Sequence, residues 1–160
     1  MTYRWLHAKL VASSALVICV AAFVGCPPEL PIEPFQIVYP VTSQDWSTNQ
    51  AGQLEMVVEF THPVSMATVL PGLNVVLDTN KVRNAEISVN AGPTNNKIVI
   101  TSAAVYTDLL SFTPDAWFTL TVKGECWYCP PVRSTAGIRL DGDGDGVGGG
   151  NFEHVYRLIG

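Results

Sequence analysis

The segment Trp117-Phe118-Thr119-Leu120-Thr121-Val122, residues 117–122, alternates apolar side chains with threonine after its first residue. Side chains along a β-strand point alternately to its two faces, so this pattern predicts a strand with one buried face. Phe118, Leu120 and Val122 are therefore expected in a hydrophobic core.

Similar strand patterns recur on both sides of this segment, and proline or glycine separates them. They cover residues 35–39, 54–60, 73–77, 85–89, 97–101 and 152–158. About seven short strands at this spacing predict an all-β fold, an antiparallel β-sandwich. The apolar residues expected to supply much of its core are Val57, Phe60, Ile87, Ile98, Ile100, Phe118, Leu120, Val122 and Tyr156. Residues 102–110 are the best candidate for a helix, and residues 65–70 for a single helical turn.

The first 25 residues have the composition of a secretory signal. Arg4 and Lys9, with no acidic residue, accompany an apolar run over residues 10–24 that ends at Gly25-Cys26. This run is too short for a comfortable membrane span, so residues 1–25 are predicted to be a signal peptide that is removed. An uncleaved anchor helix and an ordinary signal peptide cut nearby are the alternatives.

The end of this segment, Ala22-Phe23-Val24-Gly25-Cys26, resembles the lipobox of bacterial lipoproteins. Phe23 stands where that family usually has leucine. The resemblance implies that Cys26 is lipidated, with a fatty acid such as palmitate, and becomes the new N-terminus. The protein would then be a membrane-anchored lipoprotein of the bacterial cell envelope, facing the periplasm or the exterior.

Residues 26–34 follow with four prolines in nine positions, which predicts an extended, semi-stiff tether. The remaining residues, 35–160, are enough for one domain. All acidic residues lie after the predicted signal, while Arg4 and Lys9 leave with it, so the mature chain is more acidic than the full-length net charge of −5. This charge argues against a nucleic-acid partner.

Three stretches resemble the bacterial Ig-like domains of the S-layer type, known as the Big families. Residues 54–72 resemble a strand of those domains and their F-x-x-P-V turn, and residues 98–122 resemble their later strand pair. Residues 133–158 resemble the closing segment, with its D-G-D-G-D-G run, and the last strand. The resemblance implies an Ig-like sandwich that acts as a spacer, adhesive module or scaffold at the cell surface, without catalytic residues.

Cys126 and Cys129 remain for redox or metal chemistry, because Cys19 lies in the apolar run and Cys26 is the predicted lipid site. In an exported protein such a pair most simply forms a disulfide. Redox sites with this spacing need the first cysteine at a helix N-terminus, which Pro130-Pro131 would prevent here. A thiol-disulfide redox protein that acts through the pair is nevertheless the alternative function.

Trp127 and Tyr128 lie between the two cysteines, at the tip of the loop that a disulfide would stiffen. They are placed either to bind a glycan ring or a protein partner, or to fold back into the core. His62 and His154 have no serine-and-acid or cysteine partner at a known catalytic spacing, so no catalytic residue is predicted.

Residues 141–150 contain three carboxylates and six glycines. The alternation of Asp141, Asp143 and Asp145 with glycine lets the chain curl and direct several oxygens to one centre, as a Ca²⁺ site requires. Asn151 or a backbone carbonyl would complete the ligands, because Phe152 occupies the position where an EF-hand has glutamate. A long hairpin turn is the alternative.

Mutual repulsion of the three carboxylates leads us to expect that the cation-free loop is mobile and only weakly coupled to the sheets. A third functional hypothesis combines this loop with Trp127 in calcium-dependent glycan binding.

Overall fold

The computed structural model describes residues 32–38, 46–110 and 116–157. The predicted signal peptide 1–25, Cys26 and most of the tether lie outside the described residues, as do Tyr39 and Leu158 at the ends of two predicted strands. Within the described ranges, no helix combines the length and the hydrophobicity that crossing a membrane requires.

Seven strands and one short helix make up the regular structure of the described residues. They are β1 (Trp46–Thr48), β2 (Gln53–Glu59), β3 (Val75–Thr79), β4 (Ile87–Ala91), β5 (Lys97–Val105), α1 (Tyr106–Leu109), β6 (Trp117–Lys123) and β7 (Asn151–Arg157). The strands form a four-stranded sheet in the order β1-β2-β5-β4 and a three-stranded sheet in the order β3-β6-β7. All neighbouring strands are antiparallel.

This strand order is that of the seven-stranded, constant-type immunoglobulin sandwich, in which strands A, B, E and D form one sheet and C, F and G the other. The prediction of an all-β, Ig-like antiparallel β-sandwich of about seven strands is therefore confirmed. Six predicted strands correspond to β2 to β7, and their ends differ from the observed ones by four residues or fewer.

β6 occupies the centre of the three-stranded sheet. Phe118, Leu120 and Val122 are fully buried, as the alternation predicts. Their side chains belong to one hydrophobic cluster with residues of the other sheet, including Met56 and Ile100. The core therefore lies between the two sheets, as in other sandwiches.

Aromatic contacts join the sheets at Phe118. Its ring stacks on Tyr156 of β7 with a centroid distance of 4.5 Å, and Trp46 of β1 meets it edge-on at 5.5 Å. Trp46 belongs to the four-stranded sheet, so Phe118 connects neighbours within its own sheet and across the core. Edge-to-face and stacked ring pairs add stabilisation beyond the area that they bury.

The prediction that Val57 lies in the core is wrong. Its side chain is 39% exposed, whereas Met56 and Val58 on either side of it are almost completely buried. Three consecutive apolar residues cannot all face inward from one strand, because successive side chains point to opposite faces. Leu54, Met56 and Val58 set the register of β2, and Val57 is left on the outer face.

Three further predictions differ from the structure in detail. Residues 35–37 are extended but form only isolated bridges, from Phe35 to Leu140 and from Ile37 to Phe60, so they do not build a strand of either sheet. The first four residues of the helix candidate 102–110 are the end of β5, and only Tyr106–Leu109 is helical. The candidate turn at 65–70 is a 3-10 turn over Met66–Thr68.

We expect Phe118→Ala to lower the free energy of unfolding by about 3 to 5 kcal/mol, because it removes a fully buried ring and leaves a cavity between the sheets. Val57→Ala is the control and should cost under about 1 kcal/mol, since that side chain faces solvent. Urea unfolding of residues 35–160 measures both values. Equal losses for the two variants would contradict the register described for β2 and β6.

Candidate functional site

The long connection between β6 and β7 leaves and returns at one end of the three-stranded sheet. Lys123, the last residue of β6, pairs directly with Asn151, the first residue of β7. The disulfide loop, residues 126–129, and the Asp-Gly segment, residues 141–150, both belong to this connection. All the site residues predicted from the sequence, except Cys26, are therefore held on one end of the sandwich.

Gly124 brings the start of this connection against its end. A Cβ atom added at Gly124 would collide with the carbonyl oxygens of Leu140, Gly149 and Gly150. Only glycine permits backbone segments to approach so closely. The disulfide loop and the Asp-Gly segment are thus packed together where they meet β6.

Cys126 and Cys129 form a disulfide with a Cα to Cα distance of 5.3 Å, which is within the usual range for such bonds. Within residues 116–157, no helix follows Cys126, so the pair lacks the helix N-terminus that lowers the pKa of a redox cysteine. The geometry fits a structural crosslink.

Asn74 fixes the far end of the disulfide loop. Its fully buried side chain donates hydrogen bonds from Nδ2 to the carbonyl oxygens of Pro130 (2.8 Å) and Thr68 (2.7 Å), and its Oδ1 accepts one from the Leu70 amide at 2.7 Å. A buried amide with all these bonds made is stabilising, whereas losing one partner leaves a costly unsatisfied group. The loop is therefore anchored at both ends.

Trp127 and Tyr128 are exposed at the tip of this loop, and the alternative that they fold back into the core is excluded. The Trp127 side chain is 93% exposed and that of Tyr128 is 56% exposed. The two rings meet nearly at right angles with a centroid distance of 5.2 Å. Lys123 Nζ donates a 2.7 Å hydrogen bond to the Tyr128 hydroxyl, which holds that ring over the end of β6.

The Asp-Gly segment is organised by Asp141, which is buried. Its Oδ1 accepts hydrogen bonds from the amides of Gly144 (2.9 Å) and Asp145 (3.1 Å), and its Oδ2 accepts one from Gly146 at 2.9 Å. Gln36 Nε2 donates a fourth to Oδ2 at 2.6 Å. The side chain therefore folds the loop around itself, and it accepts two hydrogen bonds at each oxygen.

These contacts determine the pKa of Asp141. Burial of the carboxylate acts to raise its pKa, but the hydrogen bonds from Gln36 and from the amides of Gly146, Gly144 and Asp145 together outweigh burial and hold the pKa below its usual value. The group is therefore ionised throughout the neutral range. Its backbone amide also donates to the Phe35 carbonyl at 2.8 Å, so the loop is tied to the sandwich more closely than charge repulsion alone led us to expect.

Asp143 and Asp145, unlike Asp141, are exposed. One carboxylate oxygen from each of the three lies within 4.8 Å of the others. Oxygens on opposite sides of a Ca²⁺ ion, each about 2.4 Å from it, are separated by a similar distance. Asp143 accepts no hydrogen bond from the described residues, and Asp145 accepts one, from the Val147 amide at 2.8 Å. The two exposed carboxylates are therefore the more available ligands.

The other residues considered around this loop have structural contacts. Asn151 Oδ1 accepts a 3.3 Å hydrogen bond from the Glu125 amide, which directs it toward the disulfide loop. Phe152, at the position of the EF-hand glutamate, is a core residue, while Glu153 lies exposed on β7.

A surface groove with a volume of about 490 Å³ lies between the disulfide loop and the hairpin that follows it. We call it the basic groove. The side chains that line it include Lys123, Glu125, Trp127, Tyr128, Arg133 and Arg139. Sequence analysis identified its two aromatic residues but missed its cations. The signal available was the hairpin sequence Arg-Ser-Thr-Ala-Gly-Ile-Arg, residues 133–139, which has an arginine at each end of a glycine-containing turn.

Comparison of the chain with protein-family models, with curated proteins and with solved structures found no match.

We expect Asp141→Asn to lower the free energy of unfolding at pH 7 by about 1.5 to 3 kcal/mol, because an amide cannot accept all the hydrogen bonds that the carboxylate receives. The pKa of Asp141 is lowered on folding. The stability that the ionised carboxylate contributes is therefore complete above the unfolded-state pKa of about 3.9 and is lost as pH falls through the folded-state pKa. The difference between wild type and variant should close in strong acid.

Urea unfolding between pH 7 and pH 2 measures this difference. Asp108→Asn, which changes an exposed carboxylate in α1, is the control and should have little effect at any pH. A stability difference for Asp141→Asn that persists unchanged in strong acid would show that the charge of Asp141 does not organise the loop.

Proposed function

We propose that this chain is a non-catalytic binding module, held in the bacterial cell envelope by a lipid on Cys26. Trp127 carries the proposal, because its side chain is 93% exposed on a loop that the Cys126–Cys129 disulfide closes. Removing a large apolar ring from water lowers the free energy, so a partner that covers the ring is bound more tightly. A stiffened loop also loses little conformational entropy on binding.

The order of the segments supports the same proposal. A signal peptide over residues 1–25 and a proline-rich tether over residues 26–34 would place the sandwich of residues 35–160 away from the membrane surface. The immunoglobulin strand order supports the resemblance to the bacterial Ig-like families, in which such domains serve as binding, adhesive or structural modules. A surface protein or a glycan is the class of partner that these features favour.

The two histidines of the described residues each contact a neighbouring side chain. His62 Nδ1 lies 2.9 Å from the Thr61 hydroxyl, and the His154 ring meets the Tyr156 ring edge-on at 4.6 Å. Each histidine therefore has a contact that supports local structure.

We expect Cys26→Ser to release the protein from membranes or to block its maturation, because the variant has no sulfur to carry the lipid. Labelling bacteria with a palmitate analogue and separating membrane from soluble fractions measures both effects. Cys19→Ser is the matched control, since it changes a cysteine of the predicted signal and should leave labelling intact. Mass spectrometry that finds an unmodified mature N-terminus at another residue would overturn the lipoprotein proposal.

We also propose that the Asp-Gly loop binds Ca²⁺ weakly and that the ion stabilises the domain. The oxygens of Asp141, Asp143 and Asp145 that lie within 4.8 Å of one another favour this proposal. The site has no bidentate glutamate, so we expect an affinity on the order of 10⁻⁴ to 10⁻³ M, as for extracellular modules.

At calcium tenfold above the dissociation constant, the domain should gain about 1.4 kcal/mol of stability by mass action. This gain corresponds to a rise of roughly 3 to 8 °C in the unfolding midpoint for a domain of this size. Thermal unfolding in calcium and in chelator measures it. Asp143→Ala should abolish the rise, whereas Asp108→Ala should preserve it. A wild-type midpoint that does not respond to calcium would exclude the site.

A further inference from the structure

We propose that the basic groove binds an acidic carbohydrate, a chain of sugar rings that carry carboxylate groups. This inference depends on the proposed function, since it names the class of ligand that the binding module would recognise. Three features of the groove carry it: its unpaired cations, its exposed aromatic rings and its concave shape.

The groove concentrates positive charge on an acidic chain. Lys123, Arg133 and Arg139 line it together with one carboxylate, Glu125, although the full chain has a formal net charge of −5 and only nine lysines and arginines. Elsewhere in the described residues, Arg83 and Lys97 form ion pairs with carboxylates. The three cations of the groove have no such pair among the described residues, so their charge is available to a ligand.

The two arginines are forced together by the hairpin. Arg133 lies directly opposite Arg139 in an antiparallel bridge, with hydrogen bonds from Ser134 to Ile138 and from Leu140 to Val132 on either side. Non-hydrogen-bonded pairs of this kind bring the side chains close together on one face. Like charges directly opposite each other are destabilising, and a bound anion would relieve the repulsion.

The arginines also have suitable chemistry for a carboxylate. A guanidinium presents its donors in a planar fork that matches the two oxygens of a carboxylate. Arg133 is held in place by a 2.8 Å hydrogen bond from Nη1 to the Gly137 carbonyl, which is part of its own turn. Arg139 is exposed and remains free to close on a ligand.

The aromatic rings distinguish a sugar from a simple anion. Trp127 is 93% exposed, and its disulfide-closed loop keeps the indole beside the cations. The faces of sugar rings are apolar and stack on such an indole, while their substituents remain available for polar contacts. The volume of about 490 Å³ is in the range of sites that hold ligands of a few rings.

The shape of the site favours a glycan over a membrane surface. The cations line a concave groove, so a negative group must enter the groove to reach them. A narrow polymer enters such a groove more readily than the headgroups of a flat bilayer do. An acidic peptide would reach the cations but would not use the ring of Trp127 in the same way. Both are distinguished by the experiment.

The test measures binding of an oligogalacturonate of defined length to the mature domain by calorimetry, in chelator so that calcium makes no contribution. We expect binding that weakens as salt is raised. Trp127→Ala should weaken it by about tenfold or more, a loss of about 1.4 kcal/mol, and Trp127→Phe should restore part of it. Arg139→Ala should weaken it by about three- to fivefold.

Arg157→Ala is the matched charge control, because Arg157 is an exposed cation on β7 that does not line the groove. It should leave the affinity unchanged. The unfolding midpoint of each variant checks folding, and the high exposure of Trp127 means that its replacement should leave this midpoint unaltered.

Three comparison ligands decide the class. The methyl ester of the same oligogalacturonate keeps the rings but removes the charge, and polyglutamate keeps the charge but removes the rings; both should bind much more weakly. The proposal would be overturned if either ligand bound as tightly as oligogalacturonate. It would also be overturned if the domain bound vesicles with anionic lipid but not oligogalacturonate, or if it bound none of these ligands. Membrane fractionation of Cys26→Ser tests the lipid anchor and does not involve the groove. A failure to bind oligogalacturonate would therefore overturn the acidic-carbohydrate proposal without deciding whether the protein is membrane-anchored.

Discussion

The buried carboxylate of Asp141 is the interaction on which the functional end of this sandwich depends. The carboxylate accepts hydrogen bonds from three backbone amides of its own loop and from the side chain of Gln36. The backbone amide of Asp141 donates a hydrogen bond to the Phe35 carbonyl. A buried charge is tolerated only when hydrogen bonds replace its lost hydration, and this set does so. One residue thereby folds a glycine-rich loop that would otherwise have high conformational entropy, and attaches it to the segment that enters the domain.

Two kinds of restraint cooperate in the β6–β7 connection. Covalent and hydrogen-bond restraints, from the disulfide and from Asn74, fix the loop that carries Trp127. Steric restraint fixes the rest, because Gly124 lies against the carbonyl oxygens of the Asp-Gly segment and Gly142 lies against the start of β7. These restraints hold the backbone that carries Trp127 beside the basic groove, and an ordered backbone lowers the entropic cost of recognition.

The class of fold was predictable from sequence because alternation and turn residues recur at strand spacing through most of the domain. The errors have physical causes. β1 was missed because Trp46–Thr48 has one apolar residue and is defined by pairing with β2, and Val57 was misplaced because an unbroken apolar run does not reveal its register. The acidic loop and the cysteine pair were visible as local motifs. The basic groove was not, because its cations come together only through the hairpin and the end of β6.

Lys123 pairs directly with Asn151, so the β6–β7 connection begins and ends at the same place on the sheet. Within it, Val132 and Leu140 are fully buried and Ser134 and Asp141 nearly so, and Gly124 and Gly142 leave no room for a side chain. The stretches around these positions are mostly exposed. The sandwich therefore constrains these positions of the connection and leaves the exposed ones free to diverge. A sequence that kept these residues could exchange the exposed ones and acquire a new specificity without altering the strand register, in the way that antibody loops vary on a constant scaffold.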